Sequence, residues 1–302
     1  MLNVYEQIDS NKRRSWLIMI LFAVFIVGVT WIFSKAFDSG PGIIGMALIF
    51  SGLMSFSSYY WSDKIILAIS GARPASKKAN FMFYTVAENL ALAAKIPMPK
   101  LYVIDDTAMN AFATGRDPEH AVVCATTGLL AQLNRTELEG VIGHELTHVS
   151  NYDIRLMSIV TVLVGLVTLL ADWFLRSSRW RFGRRRDREE GNMGMILFVL
   201  AIFLALLSPL IANLIQLAIS RRREYSADAG AVMLTRQPSG LINALAKLNG
   251  DKEPLEAANK ATAHLYIVNP LKNLHQGIGW FAGLFNTHPP VEERIKVLQQ
   301  MV

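Results

Sequence analysis

Four long stretches of this chain carry no charged residue, and that limits what it can fold into. They run from Ser15 to Ser34 (20 residues), Ser39 to Ser62 (24), Leu156 to Ala171 (16) and Gly191 to Ser220 (30). About 20 apolar helical residues cross the hydrocarbon core of a bilayer, so the runs predict a mainly α integral membrane protein with about four hydrophobic membrane helices. With 52% hydrophobic residues, 18% charged residues and a mean hydropathy of +0.30, the chain suits neither a soluble globule nor a fibrous or disordered class. Its single cysteine, Cys124, excludes an intrachain disulfide scaffold and a Cys-rich zinc finger.

Lys12, Arg13 and Arg14 before the first run imitate a signal sequence, but the run is too long for an h-region and a second follows at once. Residues 1–62 therefore read as a retained transmembrane hairpin with Phe37, Asp38, Gly40 and Pro41 in its turn. Lys12 to Arg14 precede the hairpin and Lys64, Arg73, Lys77 and Lys78 follow it, whereas its turn has only Lys35. By the positive-inside rule the N-terminus and the segment after Trp61 are cytoplasmic. The net charge of +6 does not argue for nucleic acid, because Arg176 to Glu190 holds seven arginines against three acids and supplies four of the six charges. A basic run beside hydrophobic spans meets anionic lipid head groups or solvent instead, so the expected partner is the lipid bilayer and not nucleic acid.

Residues 63–155 have the composition of a soluble domain. Phe83, Val86, Leu90 and Ala94 fall on one helical stripe, which predicts a helix over 81–94. Leu101 to Ile104 and Ala121 to Cys124 are short β-rich runs with turn signals between them, the material of a small sheet. Thr136 to Glu139 has the spacing of a capping box and marks the start of a further helix. On that helix lies His144-Glu145-Leu146-Thr147-His148, an H-E-x-x-H motif whose imidazoles, at i and i+4, share one face one turn apart, as two zinc ligands require. Glu145 is placed to reach a metal-activated water without ligating the metal, which makes it the candidate general base.

A catalytic zinc needs a third protein ligand and one open position. Glu224 is the candidate. It lies in Arg221 to Asp228, a helical stretch beyond the second pair of apolar runs, and shares a face with Asp228 by i,i+4 spacing. Asp228 is suited to accept a hydrogen bond from the distal nitrogen of a liganding histidine and so fix its tautomer. Asn151, three residues after His148, is a further candidate for such a supporting position, and Asp153 reads as a cap or charge at the helix end.

These residues resemble the HtpX family of bacterial membrane zinc metallopeptidases, relatives of the CAAX prenyl peptidases. The resemblance covers nearly the whole chain: the N-terminal hairpin, Asn110-Ala111-Phe112-Ala113-Thr114-Gly115, the string His144 to Asp153, Glu224 to Asp228, and Thr287-His288-Pro289-Pro290 with Arg294. It implies a zincin-like catalytic domain, one Zn2+ per chain and endopeptidase activity on membrane proteins. It also implies a role in quality control under stress and a site facing the cytoplasm of the bacterial inner membrane. By the same resemblance Asn110 to Gly115 is the strand beside the cleft, where an extended substrate adds through backbone bonds; read without it, the segment is equally an ordinary loop. His288 precedes a double proline that fixes the backbone and aims the ring into the cleft as a candidate oxyanion donor, unless His288 and Arg294 merely pin the C-terminal helix. His264 reads as a core histidine, and His120 and His275 as surface or packing residues.

Two apolar runs separate His148 from Glu224, yet both must reach one ion, so an even number of crossings lies between them. Either both runs cross, placing the arginine run outside, or they form a hairpin that only enters the membrane. The chain thus divides into an N-terminal hairpin (1–62), a first catalytic part (63–155), a second hydrophobic pair (156–220) and a second catalytic part (221–302). Glu224 follows the fourth run by four residues and His148 precedes the third by eight. At 1.5 Å per helical residue that is about 12 Å or less, which puts the metal near the membrane surface. A non-catalytic membrane scaffold of the same fold would lack Glu145 or the third ligand, and a transporter or channel would carry ionisable residues within its spans. Neither description fits these residues.

Overall fold

The computed structural model describes residues 4–36, 42–166, 221–257, 262–268 and 289–301. The hairpin turn at 37–41, the arginine run, the fourth apolar run, His275 and His288 lie outside the described residues, as does the side chain of His264. The first two apolar runs form helices, α1 (Val4–Ala36) and α2 (Gly42–Ile69), and part of the third forms α6 (Asp153–Leu166). One face of α1, residues 11, 15, 18 and 22 at helical spacing, is buried throughout. Its Ile18, Met19 and Phe22 pack on Leu156, Ile159, Val160, Leu163 and Val164 of α6.

A four-stranded mixed sheet follows, built from β1 (Arg73–Pro74), β2 (Lys100–Ile104), β3 (Ala111–Thr114) and β4 (Val122–Thr126) in the order β1-β2-β4-β3. The central pair β2 and β4 is parallel, in the register Leu101 to Val123, and β3 runs antiparallel to β4, in the register Phe112 to Cys124. Both faces are covered. Leu101, Val103, Ala111, Ala113, Val123 and Ala125 join the main core with the helices, while Ile104, Phe112 and Cys124 pack with Ile66 of α2, Met157 of α6 and Tyr266. A strand buried on both sides reads as a continuous apolar run, which is why β2 and β4 stood out in the sequence without a clean alternation.

The predicted helix over 81–94 is α3 (Phe81–Ala94), with Ala87 and Ala91 joining Phe83, Val86 and Leu90 in its buried stripe and Ala94 only half-buried. A short α4 (Thr127–Gln132) leads into α5 (Arg135–Ser150), which carries the histidines. Its capping box lies two residues earlier than the Thr136 spacing indicated. Asn134 Oδ1 accepts from the Glu137 N–H, and Glu137 Oε2 accepts from the Asn134 N–H. Asparagine caps as well as threonine, and starting the helix here brings Glu137 to Lys247 at 2.7 Å.

Three further helices close around α5: α7 (Arg221–Thr235), α8 (Pro238–Gly250) and α9 (Val291–Gln299). Glycine permits the closest approaches. A Cβ on Gly140 would lie 2.6 Å from the Leu241 backbone nitrogen of α8, and one on Gly230 would lie 2.4 Å from Thr147 Cγ2. These contacts draw α7 and α8 against the histidine helix closer than any side chain would allow.

Candidate metal centre

The two histidines of α5 are buried and face each other, with His144 Nε2 and His148 Nε2 3.2 Å apart. Glu224 reaches the same point from α7, its carboxylate oxygens 3.7 Å from His144 Nε2 and 3.5 Å from His148 Nε2. All three ligand atoms lie within 4.8 Å of one another. Two nitrogens on a tetrahedral ion at metal–nitrogen distances of about 2.0–2.1 Å stand about 3.3 Å apart, so this N2O donor set fits a divalent metal.

Each ring is aimed from behind. His144 Nδ1 lies 2.9 Å from Asp228 Oδ1, and His148 Nδ1 lies 3.0 Å from Asp153 Oδ2. An ionised carboxylate only accepts, so both Nδ1 atoms carry a proton and both Nε2 atoms point inward. Arg294, fully buried on α9, donates to both oxygens of Asp228, from Nε at 2.9 Å and Nη2 at 2.6 Å, and to the Ile267 carbonyl at 3.0 Å. Burial opposes ionisation of Asp228, but the Arg294 charge and its hydrogen bonds outweigh that and hold the carboxyl at about 2.

The metal-free rings differ in electrostatics. Burial lowers His144 and, despite the Asp228 hydrogen bond, Arg294 and His148 help to keep it down. For His148 burial acts in the same sense, yet the Asp153 hydrogen bond and the charges of Glu224, Asp153 and Glu145 prevail and raise it to about 9. Glu145 is buried beside the pair.

The structure therefore brings together His144, Glu145, His148, Glu224 and Asp228. Asn151 instead caps α5: its N–H donates to the Thr147 carbonyl, and its own carbonyl accepts from Asn11. The residue that meets His148 is Asp153. On an unbroken helix the i,i+5 spacing would point it away, but Tyr152 adopts a left-handed φ of 59°, and the chain leaves α5 for α6 at 85°. That elbow returns Asp153 to the histidine. Arg294 supports Asp228 rather than standing open to a substrate, and the Tyr225 hydroxyl is directed to Glu293 at 3.2 Å. Asn110 to Gly115 does include a strand, β3, at the sheet edge. Its outward edge is partly taken, since the Ala111 carbonyl accepts from the Ile267 N–H and the Asn110 amide donates to the Val268 carbonyl.

Residues 80–302 match the model of peptidase family M48. The chain belongs to that family. Along nearly its whole length it is similar to relatives named protease HtpX homolog. That of Dictyoglomus thermophilum is 44% identical over 98% of this chain and 94% of its own. That of Caldanaerobacter subterraneus is 43% identical over 99% and 98%, and that of Streptococcus pneumoniae is 43% identical over 99% and 100%. The chain is an HtpX-family metalloprotease, and the family implies a metal at its His-Glu-His site. The crystal structure of Ste24p from S. mikatae shares the fold, with a TM-score of 0.50 at 22% identity over 93% of this chain, which spans 65% of that longer one.

Proposed function

We propose that this M48 metalloprotease is an integral membrane zinc endopeptidase of the bacterial cytoplasmic membrane that cleaves misfolded or damaged membrane proteins near the cytoplasmic surface. The observation that carries the metal assignment is the pair of Nε2 atoms 3.2 Å apart, each ring held from behind by a buried carboxylate, with Glu224 beside them. His144, His148 and Glu224 would hold one zinc ion, since imidazole and carboxylate at these spacings suit it. When bound, the metal lowers the pKa of a coordinated water toward neutrality and polarises a carbonyl.

The chain's own residues do the rest. Glu145 takes the proton of the attacking water and returns it to the leaving amine. Asp228 and Asp153 keep the rings in one tautomer, and Arg294 keeps Asp228 ionised. An extended substrate segment would pair with the outward backbone of Ala113, since antiparallel pairing of Phe112 and Thr114 with β4 turns Ala113 the other way. His288 would donate to the oxyanion.

Membrane insertion is supported by the 20 uncharged residues of α1 and by large apolar side chains exposed on it and on α2, among them Trp16, Ile20, Val24, Met46, Ile49 and Leu53. We take the third and fourth runs to cross as well, which leaves the arginine run outside and the site cytoplasmic.

Metal analysis and cleavage of a denatured membrane protein test the reading on purified full-length protein. His144→Ala, His148→Ala and Glu224→Ala should each lose zinc, whereas Glu145→Gln should keep it and lose activity. A Glu224→Ala protein with full zinc would remove Glu224 from the ligand set.

A further inference from the structure

The elbow that returns Asp153 to His148 is held from outside the catalytic domain. Asn11, on the buried face of α1, donates one amide hydrogen to the Asn151 carbonyl at 2.9 Å and the other to Asp153 Oδ1 at 2.7 Å. Both partners are acceptors, so only the NH2 end of the amide satisfies them and its orientation is settled. The next residue, Lys12, lies over the Tyr152 ring at 4.7 Å, on the left-handed residue of the elbow itself. The same stripe of α1 continues through Ile18 and Phe22 onto α6. Asp153 thus divides its oxygens: Oδ2 goes to His148, and Oδ1 goes to Asn11, with Arg223 Nε more distant at 3.5 Å.

We propose that Asn11 is a positioning residue of the metal centre, acting through Asp153 on the His148 ring, so that the N-terminal helix completes the zinc site as well as anchoring the chain. The inference rests on the zinc reading above and deepens it. A carboxylate anchored on one oxygen can present the other to a ring nitrogen in one fixed orientation. Released at Oδ1, it rotates or turns toward Arg223, and the Nε2 lone pair of His148 loses its aim. Asn11 stands 142 residues from Asp153 and makes no contact with a ligand atom, which is why nothing in the motif indicates it.

The test uses the full-length protein in detergent, with zinc affinity measured by competition against a chelator and melting temperature measured on the metal-free form. Asn11→Leu preserves size and removes both donors. It should weaken zinc binding about tenfold, the lower end for loss of a partner behind a metal ligand, and it should also lower the metal-free melting temperature by several degrees, because two buried acceptors lose their donor. Asp153→Asn should weaken zinc by at least as much, and adding Asn11→Leu to it should cost nothing further, because the path already ends there. Should the leucine variant fail to fold, Asn11→Ser, which retains one donor, is measured instead and should lose about threefold. Unchanged zinc affinity, or an undiminished loss in the Asp153→Asn background, overturns the role of Asn11 alone. Wild-type affinity in His148→Ala would overturn the metal site itself, and this proposal with it.

Discussion

Replacing Arg294 by methionine keeps the length and apolar stem of the side chain and removes its donors. What remains is the Asp228 carboxylate, fully buried, with only the His144 Nδ1–H for a partner. Asp228 is held at about 2 against an ordinary 3.8, which favours its charged form by about 2 kcal/mol. The variant also strands the Ile267 carbonyl that Arg294 Nη1 satisfies at 3.0 Å. Breaking a buried pair from one side costs about 3–5 kcal/mol. At about 2–4 °C per kcal/mol for a chain of this size, the melting temperature should fall by about 10 °C. Metal affinity should fall about 10–100-fold, because the carboxylate that orients His144 is no longer fixed. Scanning fluorimetry and chelator competition on detergent-solubilised protein measure the two effects separately. Adding Asp228→Leu removes the stranded charge, so the double variant should recover most of the melting temperature and none of the metal affinity. A single variant within 2 °C of wild type and with unchanged affinity would refute the reasoning, since it would mean that the pair is solvated.

Glu145→Gln should retain full zinc while peptidase activity drops by about a hundredfold or more, as expected for loss of a positioned base; near-normal cleavage would assign the proton to another group. Gly230→Ala places a methyl on the Thr147 side chain and should cost about 1–3 kcal/mol, with Thr147→Ala restoring the loss in a thermal melt. His288→Ala should lower kcat by about a hundredfold with zinc content unchanged if the ring donates to the oxyanion, and a loss that instead follows a lowered melting temperature would make it structural. After removal of Cys124, single cysteines at Ser178 and Ser10 report topology: an impermeant thiol reagent outside intact cells should label position 178 and spare position 10. Protection of both, with position 178 reacting once the inner membrane is opened, would favour a hairpin that does not cross.

Much of the site was legible in the chain because its chemistry is local. H-E-x-x-H sets two rings one turn apart on any helix, and the Glu224 to Asp228 spacing does the same for a carboxylate and its neighbour. An apolar period marked α3 and short continuous apolar runs marked β2 and β4, since burial on a regular element leaves a trace in the residues it covers. The capping box was displaced by two residues because Asn134 and Thr136 both offer a cap three positions ahead of a glutamate, and only packing chooses between them. The strand at 111–114 and the loop reading could not be separated locally, because four small or apolar residues become an edge strand only when β4 is there to pair with them.

By itself the sequence determined the pair of imidazoles, the adjacent acid, the carboxylate offered as third ligand and the apolar runs on either side of the site. Tertiary structure alone decided what stands behind His148 and what holds the two supporting carboxylates. Asp153 meets His148 because Tyr152 leaves the helix with a positive φ. Arg294 meets Asp228 because α9 folds back across α7, and Asn11 reaches the elbow because a face of α1 packs along α6. Each of these contacts joins residues whose spacing follows no helical or strand period, so it exists only once the chain has closed, when burial makes an unpaired carboxylate too costly to leave alone.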